Sequence, residues 1–357
     1  MKLLLYLPDL DGGGAQRTLL NLTSVLSDAD GITLRLVTGA ADGAAMIWCP
    51  DNVDRVTLPT ARARAQVAAL RAAIRDFGPD IALSTMLHGN LALYLATRFM
   101  GDRPKIVLRE TNSHFYRNDL KPWHTALAGV AYRAADRMVA LSEGVRRELM
   151  ARYRLSPSRC VTIHNPVDLS AVPQRKGSAG GFHFLSIGRL SEQKNHALLL
   201  RAFAALRPDD ARMTILGGGP LRGELEYLAA ELGIADRVAL PGFVADTAAV
   251  MKTADAFVLS SRYEGFGHVL VEAMAAGLPV ISTDCPYGPA DIITNGETGL
   301  LVQNDDVAEL TEAMNVIRSD AELSARLSAN GPVRARDFDA NRIGAQYVTL
   351  FNECLAE

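Results

Sequence analysis

The sequence predicts an α/β protein of two Rossmann-like, doubly wound domains facing a cleft. Three observations predict it. Short β-rich runs alternate with helical stretches along most of the chain. The alternation stops once, at a stretch rich in Pro, Gly, Ser and charge, and then restarts. The chain has 357 residues, more than one hydrophobic core usually serves.

In chain order, "KLLLYL" (2–7) reads as the first strand. The segment after Gly14 reads as a helix, with Leu19, Leu22 and Leu26 on one face. "ITLRLV" (32–37) is the second strand, and 61–77 is a helix with Val67, Leu70, Ile74 and Phe77 at three- and four-residue spacing. Further strands are expected at "DIALST" (80–85), "KIVLRE" (105–110), "RMVAL" (137–141) and "CVTIH" (160–164), with helices between them. The break is "PVDLSAVPQRKGSAGG" (166–181). Strands resume at "FHFLSIG" (182–188), "RMTILGGG" (212–219), "RVALPG" (237–242), "AFVLSS" (256–261) and "PVISTD" (279–284). A helix is expected over about 340–355. The expected division is 1–167, a linker at 168–181, 182–337, and a last helical segment at 338–357. In open sheets of this kind ligands bind beyond the carboxyl ends of the strands.

Composition narrows the class. Hydrophobic content of 48% with 22% charged residues belongs to an ordinary soluble globular protein. No apolar run approaches the roughly 18 residues of a membrane-spanning helix, and the opening "MKLLLYLPDLDGGG" reads as a core strand rather than a signal peptide. Cys49, Cys160, Cys285 and Cys354 lack metal-ligand spacing and read as reduced, mostly buried thiols of a cytoplasmic protein. Residues 1–165 carry 21 Lys+Arg against 15 Asp+Glu, while the remainder carries 16 against 25. The basic first half suggests an anionic partner, such as a membrane surface or a phosphate-bearing lipid. Nucleic acid is not an expected partner.

The motifs sit at expected strand ends. "PDLDGGGAQR" (8–17) places Gly12, Gly13 and Gly14 between a strand and a helix, where backbone can approach a ligand closely. It is not a dinucleotide fingerprint: Arg17 stands where a third spaced glycine would, and the second strand ends without an acid. Asp9 and Asp11 read as loop and cap chemistry. In "SIGRLSEQKN" (186–195), Arg189 and Lys194 flank a turn opened by Gly188, an arrangement suited to clamping a diphosphate. Gly218, in "GGG" (217–219), and Phe243–Val244, after Gly242, end two successive strands where backbone groups can meet a flat base. In "SRYEGFGHVLVEAMAAGLPVI" (261–281), Gly265, Phe266 and Gly267 precede a helix carrying Glu272, and Glu264 lies just before it. A carboxylate in such apolar company costs several kcal/mol unless its lone pairs are filled. A ribose can fill them with two adjacent hydroxyls, which leaves Glu264 for the phosphates or a transferred sugar. A glycoside-hydrolase pair is not favoured, because two Trp and 6% aromatics supply no saccharide groove.

These residues resemble the retaining family-four glycosyltransferases, which have the GT-B fold. Glu264 and Glu272 followed by "AMAAGLPVIST" look like that family's E-x7-E signature, and "IGRLSEQKN" like its diphosphate-binding turn. "PDLDGGGAQR" is similar to its first glycine loop, and "GETGLLVQNDDVAEL" (296–310) also fits, as does a final helix, at 338–357, that the resemblance implies crosses back to the first domain, so the resemblance covers nearly the whole chain. It implies a nucleotide-sugar donor, most simply a UDP-sugar, held mainly by the second domain. Arg189 and Lys194 would bind the diphosphate, Glu272 the ribose and Glu264 the sugar or α-phosphate side. The amides of Phe266 and Gly267 would meet the donor, with Gly13 and Gly14 beside its phosphates and sugar. Many members place a histidine after the strand at 105–110. Here the region reads "LRETNSHF", which puts Arg109, Glu110, Asn112 and His114 on the sugar or acceptor side, Glu110 with a catalytic part. No metal or other cofactor is required in this fold.

The leading expectation is therefore a retaining hexosyl-type transferase. It would move a sugar from a nucleoside-diphosphate donor to a lipid-linked or surface-polysaccharide acceptor bound by the first domain, on the inner face of the cytoplasmic membrane. The alternatives are a nucleotide-sugar epimerase on the same fold and a non-catalytic nucleotide-sugar-binding subunit.

Overall fold

The computed structural model describes residues 1–11, 14–59, 63–111, 122–170, 172–177, 180–206, 210–244 and 246–357. The described residues form two compact units: Met1–Val167 with Asp339–Glu357, and Asp168–Phe338.

The first unit contains β1 (Lys2–Leu7), β2 (Thr33–Thr38), β3 (Asp54–Thr57), β4 (Ile81–Thr85), β5 (Lys105–Glu110), β6 (Arg137–Ala140) and β7 (Cys160–Thr162). They form one parallel sheet in the order β3-β2-β1-β4-β5-β6-β7. The central strand β1 is buried on both faces, which is why "KLLLYL" reads as a continuous apolar run rather than an alternating one. Its register pairs Leu5 with Leu36 of β2 and with Leu83 of β4. Helix Gly14–Ser27 lays Leu19, Leu22 and Leu26 onto this sheet.

The last helix, Ala340–Ala356, belongs to the same unit. Its Ile343, Tyr347, Leu350, Phe351 and Cys354 complete the core that holds Leu3, Leu5 and Leu7. It packs along helix Gly14–Ser27 at Gly344, where an added Cβ would come within 2.4 Å of Val25 Cγ1. At its end, Arg137 donates to both carboxylate oxygens of Glu357.

The second unit contains β8 (His183–Ile187), β9 (Arg212–Leu216), β10 (Val238–Gly242), β11 (Ala256–Leu259), β12 (Val280–Thr283) and β13 (Leu300–Val302). They too form a parallel sheet, in the order β10-β9-β8-β11-β12-β13. Its core draws Phe184, Phe203, Met213, Val258, Ile281 and Met314 from strands and covering helices. The stretch read as a linker is tied into this unit: Arg175 N–H donates to the Ala276 carbonyl and Lys176 N–H to that of Lys252.

Two strands lie outside the sequence-based reading, β3 and β13. Both are edge strands of three or four residues, and β3 carries exposed Asp54 and Arg55. An edge strand needs neither a long apolar run nor clean alternation, so little marks it in sequence. No helix among the described residues is long and apolar enough to cross a membrane.

Candidate functional site

Both sheets reverse their strand order once, between β1 and β4 in the first and between β8 and β11 in the second. At such a point the loops leaving two adjacent strands diverge to opposite faces and open a crevice at the carboxyl edge.

In the second unit the two loops are 188–195 and 260–267, and they are braced together. Arg262 N–H donates to the Gln193 carbonyl at 2.8 Å. Gln193 Nε2 donates to the Tyr263 carbonyl at 3.0 Å, and Ser260 Oγ to the Lys194 carbonyl at 3.0 Å. Across the pair, Lys194 Nζ reaches Glu264 Oε1 at 2.5 Å, and Ser261 Oγ donates to the same oxygen at 2.6 Å. Both charged side chains are largely withdrawn from solvent, at 16% and 8% exposed. A cation and carboxylate so placed satisfy each other while keeping protons and lone pairs available at the crevice.

Glycine makes room for this. A Cβ at Gly188 would press the Lys194 stem at 3.1 Å. Gly217, at φ +141°, would put a Cβ 2.0 Å from the Gly188 carbonyl oxygen, so no other residue fits there. Arg189, in contrast, is exposed, and its guanidinium has no ion-pair or hydrogen-bond partner among the described residues.

Helix His268–Ala275 starts immediately after these loops, capped by Gly267 at φ +109°. Its first-turn amides are those a helix leaves without internal acceptors. Glu272 is buried on this helix, at 6% exposed. Gly265 lies within the 260–267 loop itself. The Phe266 ring is core, edge-on to Phe338 at 5.4 Å and to His268 at 5.7 Å, so its backbone is what a ligand could meet. Phe243 is 82% exposed beyond β10, with Val244 beside it half-buried. Gly218 faces open space.

Behind the braced loops, helices His196–Ala205 and Arg222–Glu231 flank a depression of about 520 Å³ whose lining includes Glu192, His196, Arg201 and Glu224. Burial, with the Lys194 charge adding to it, pushes the His196 imidazole down to about 4.

In the first unit the loops after β1 and β4 meet differently. Asp9, two residues past β1, approaches His88 Nε2 at 3.0 Å through Oδ2. Gln16 Nε2, from helix Gly14–Ser27, donates to Asp9 Oδ1 at 2.5 Å. The His88 hydrogen bond chiefly, then that of Gln16, holds the Asp9 carboxyl below the usual carboxylate range. Asp9 thus has more than the capping role expected of it. His88 was not singled out in the sequence, although it directly follows a strand beside the reversal point. Gly14 opens the helix and faces open space, while Gly13 lies outside the described residues.

In the 105–114 region, expected on the sugar or acceptor side, Arg109 and Glu110 are both enclosed. Arg109 is 0% exposed. Its guanidinium donates to Thr85 Oγ1 and Asn165 Oδ1, and Tyr347 of the last helix faces it. Burial lowers its pKa from the ordinary value. Glu110 is equally enclosed, at 1% exposed, and accepts from the Tyr132 hydroxyl at 2.5 Å. Burial, and then Glu110, drive the Tyr132 pKa up. Strand β5 is buried on both faces, so these two adjacent polar side chains, pointing to opposite faces, are both enclosed and bond to neighbouring elements instead of facing solvent. Asn112 and His114 lie outside the described residues.

Two doubly wound units, each on a parallel sheet with one reversal point, define the fold of the GT-B type. Comparison with known proteins makes this specific. Residues 12–171 match the family model "Glycosyltransferase Family 4", and residues 173–334 match "Glycosyl transferases group 1". The chain belongs to the family-four glycosyltransferases.

Among curated relatives, one is the N-acetylgalactosamine-N,N'-diacetylbacillosaminyl-diphospho-undecaprenol 4-alpha-N-acetylgalactosaminyltransferase of Campylobacter jejuni. It is 28% identical over 355 residues, spanning 96% of this chain and 97% of its own. The lipopolysaccharide core biosynthesis glycosyltransferase LpsD of Rhizobium meliloti is 28% identical, over 80% of this chain and 78% of its own. Among solved structures, Anabaena HepE in complex with UDP and glucose superimposes with a TM-score of 0.83 at 22% identity, over 99% of both chains. The apo lipopolysaccharide outer core galactosyltransferase WaaB gives 0.81 at 21%, over 99% of this chain and 100% of that one. At such identity the two structures establish the fold.

Proposed function

We propose that this glycosyltransferase moves a hexose-type sugar, with retention of anomeric configuration, from a UDP-sugar to a lipid-linked or surface-polysaccharide acceptor. The observation that carries this reading is the Lys194–Glu264 pair, with Arg189, exposed and without a partner among the described residues, in the same loop at the reversal point of the second sheet. An exposed cation with no partner among the described residues, in the loop of a preformed cation–carboxylate pair, suits anionic charge.

In this reading Arg189 and Lys194 hold the diphosphate, and the amides of Phe266, Gly267 and the following helix turn face its oxygens. Glu272 holds the ribose, Phe243 and Val244 flank the base, and Glu264 faces the α-phosphate or the sugar. The acceptor oxygen forms its bond to the anomeric carbon as the carbon–phosphate oxygen bond breaks. The hydroxyl proton passes to the departing diphosphate. The protein's part is positioning and charge stabilisation, which cations and helix amides supply without a metal ion.

Support for UDP comes from the Anabaena protein, solved in complex with UDP and glucose, and support for a lipid-linked or lipopolysaccharide acceptor from the diphospho-undecaprenol and lipopolysaccharide core transferases among the relatives. A cytoplasmic protein resting on an anionic membrane through its first unit fits that acceptor. That unit keeps a positive balance, 22 Lys+Arg against 18 Asp+Glu, although the returning helix trims it.

The test is a screen of UDP- and GDP-sugars for nucleotide release, with and without a polyprenyl-diphosphate saccharide and with EDTA present. Acceptor-dependent UDP release that survives EDTA, with the product's anomeric configuration unchanged by NMR, is expected. No release from any donor would overturn the transferase reading. An altered free sugar formed without acceptor would establish an epimerase.

A further inference from the structure

The reversal point of the first sheet holds chemistry that the donor site leaves unused. Asp9 and His88 arrive from the two loops that flank the crevice, and their side chains meet at 3.0 Å. Both remain accessible, His88 at 58% and Asp9 at 28%. An accessible polar contact of this kind adds little to stability, on the order of 0–1 kcal/mol, so holding the fold together is not its evident purpose.

The surroundings are nevertheless built to hold it. Asp9 Oδ1 is fixed by Gln16, which is itself buried at 6% exposed. On the other side, Asn90 is fully buried: Ser84 Oγ donates to its Oδ1 at 2.8 Å, and its Nδ2 donates to the Arg109 carbonyl at 3.0 Å. Asn90 thereby pins the first turn of helix Leu87–Thr97, from which His88 projects. The loops are also in close approach, since a Cβ on Gly89 would touch the Pro8 ring at 3.2 Å.

The backbone is strained at the same place. Met86, between β4 and this helix, sits at φ 65°, ψ 150°, a region essentially reserved for glycine. Such conformations cost about 1–3 kcal/mol and cluster where a chain is held for function.

An ionised Asp9 accepts, so Nε2 of His88 carries the proton it donates. In the neutral ring Nδ1 is then left as a hydrogen-bond acceptor. A fixed, solvent-accessible imidazole acceptor suits a neutral donor such as a sugar hydroxyl.

We propose that Asp9 and His88 form the subsite on the first unit that receives the acceptor's attacking hydroxyl, resting on the transferase reading above. His88 Nδ1 accepts the hydroxyl's hydrogen bond and orients it. Asp9 is a positioning residue that sets the tautomer and angle of the ring. The proton still leaves with the departing diphosphate.

The experiment uses the full-length chain with UDP-hexose and UDP-N-acetylhexosamine donors and a synthetic undecaprenyl-diphosphate N-acetylhexosamine as acceptor. For His88→Ala, kcat/KM for the acceptor should fall by about tenfold to a hundredfold. The donor KM, and UDP binding by calorimetry, should stay at the wild-type value. His88→Arg keeps donors facing Asp9 but offers no acceptor, and should be nearly as impaired as the alanine variant. Asp9→Asn should fall between these and wild type, again without change in UDP binding. Full recovery with arginine would make the pair structural and overturn the proposal, as would an unchanged acceptor kcat/KM in His88→Ala. A wild-type protein that binds UDP but transfers to no acceptor would overturn the transferase reading instead, and this proposal with it.

Discussion

The two sheets share a strand order around their central reversal, yet the crevices at those points are built in opposite ways. In the second unit the charges are internal: Lys194 and Glu264 are withdrawn from water and bonded to each other, and backbone hydrogen bonds lace their loops together. In the first unit Asp9 and His88 stand in solvent, held by buried amides on either side and by a strained residue next to the helix. The difference shows that topology supplies a place but not a chemistry. A buried pair suits a ligand that brings its own strong charge, whereas an exposed, oriented imidazole suits one that brings a neutral hydroxyl.

Four measurements sharpen or break this comparison. Lys194→Ala should have the largest effect, because it leaves Glu264 buried without its cation. A loss of about 3–5 kcal/mol in unfolding free energy and at least about a hundredfold in kcat is expected. Denaturant melts and steady-state rates check it, and a variant of wild-type stability would mean the pair is not internal at all.

Acid should then act on the second unit. His196 titrates near 6.5 when unfolded but near 4 when folded, so the unfolded chain binds the extra proton between those values. The stability contributed by the neutral ring is complete above pH 6.5 and is lost as pH falls through 4, up to about 3 kcal/mol. Melting temperatures from pH 7 to 4 should fall less steeply in His196→Gln than in wild type. Parallel curves would remove His196 as the cause.

Arg189→Ala should weaken UDP and UDP-sugar binding together by about tenfold to a hundredfold while leaving the melting temperature alone, since the guanidinium has no partner among the described residues to lose. Calorimetry decides it, and unchanged affinity would take Arg189 out of the clamp. The smallest effect is that of His88→Ala on stability, within about 1 kcal/mol. A larger loss would show the first reversal point to be as structural as the second.

Much of this was legible in the sequence, and the limits have physical causes. The central strands were visible because strands buried on both faces spell continuous apolar runs, as "KLLLYL" and "AFVLSS" do. The edges β3 and β13 were not, because half-solvated strands obey weaker rules. Glu264, Lys194 and Arg189 could be picked out because glycines and charges at strand ends carry local signals.

Arg109 and Glu110 misled for a related reason. Polar residues at a strand's carboxyl end look ligand-facing, and only the partners Asn165, Tyr132 and Tyr347, between 22 and 238 positions away, turn them inward. The Asp9–His88 contact joins residues 79 positions apart, which no local pattern encodes.

The returning helix carries one more consequence, for the order of events during synthesis. The second unit is continuous in sequence and can close as soon as Phe338 has emerged from the ribosome. The first unit, although translated first, lacks Tyr347, Leu350 and Phe351 of its core until helix Ala340–Ala356 is released. The first-made strands therefore wait for a segment made after the whole second unit. A premature stop within that helix would strip the core of the first unit while leaving the braced crevice of the second intact.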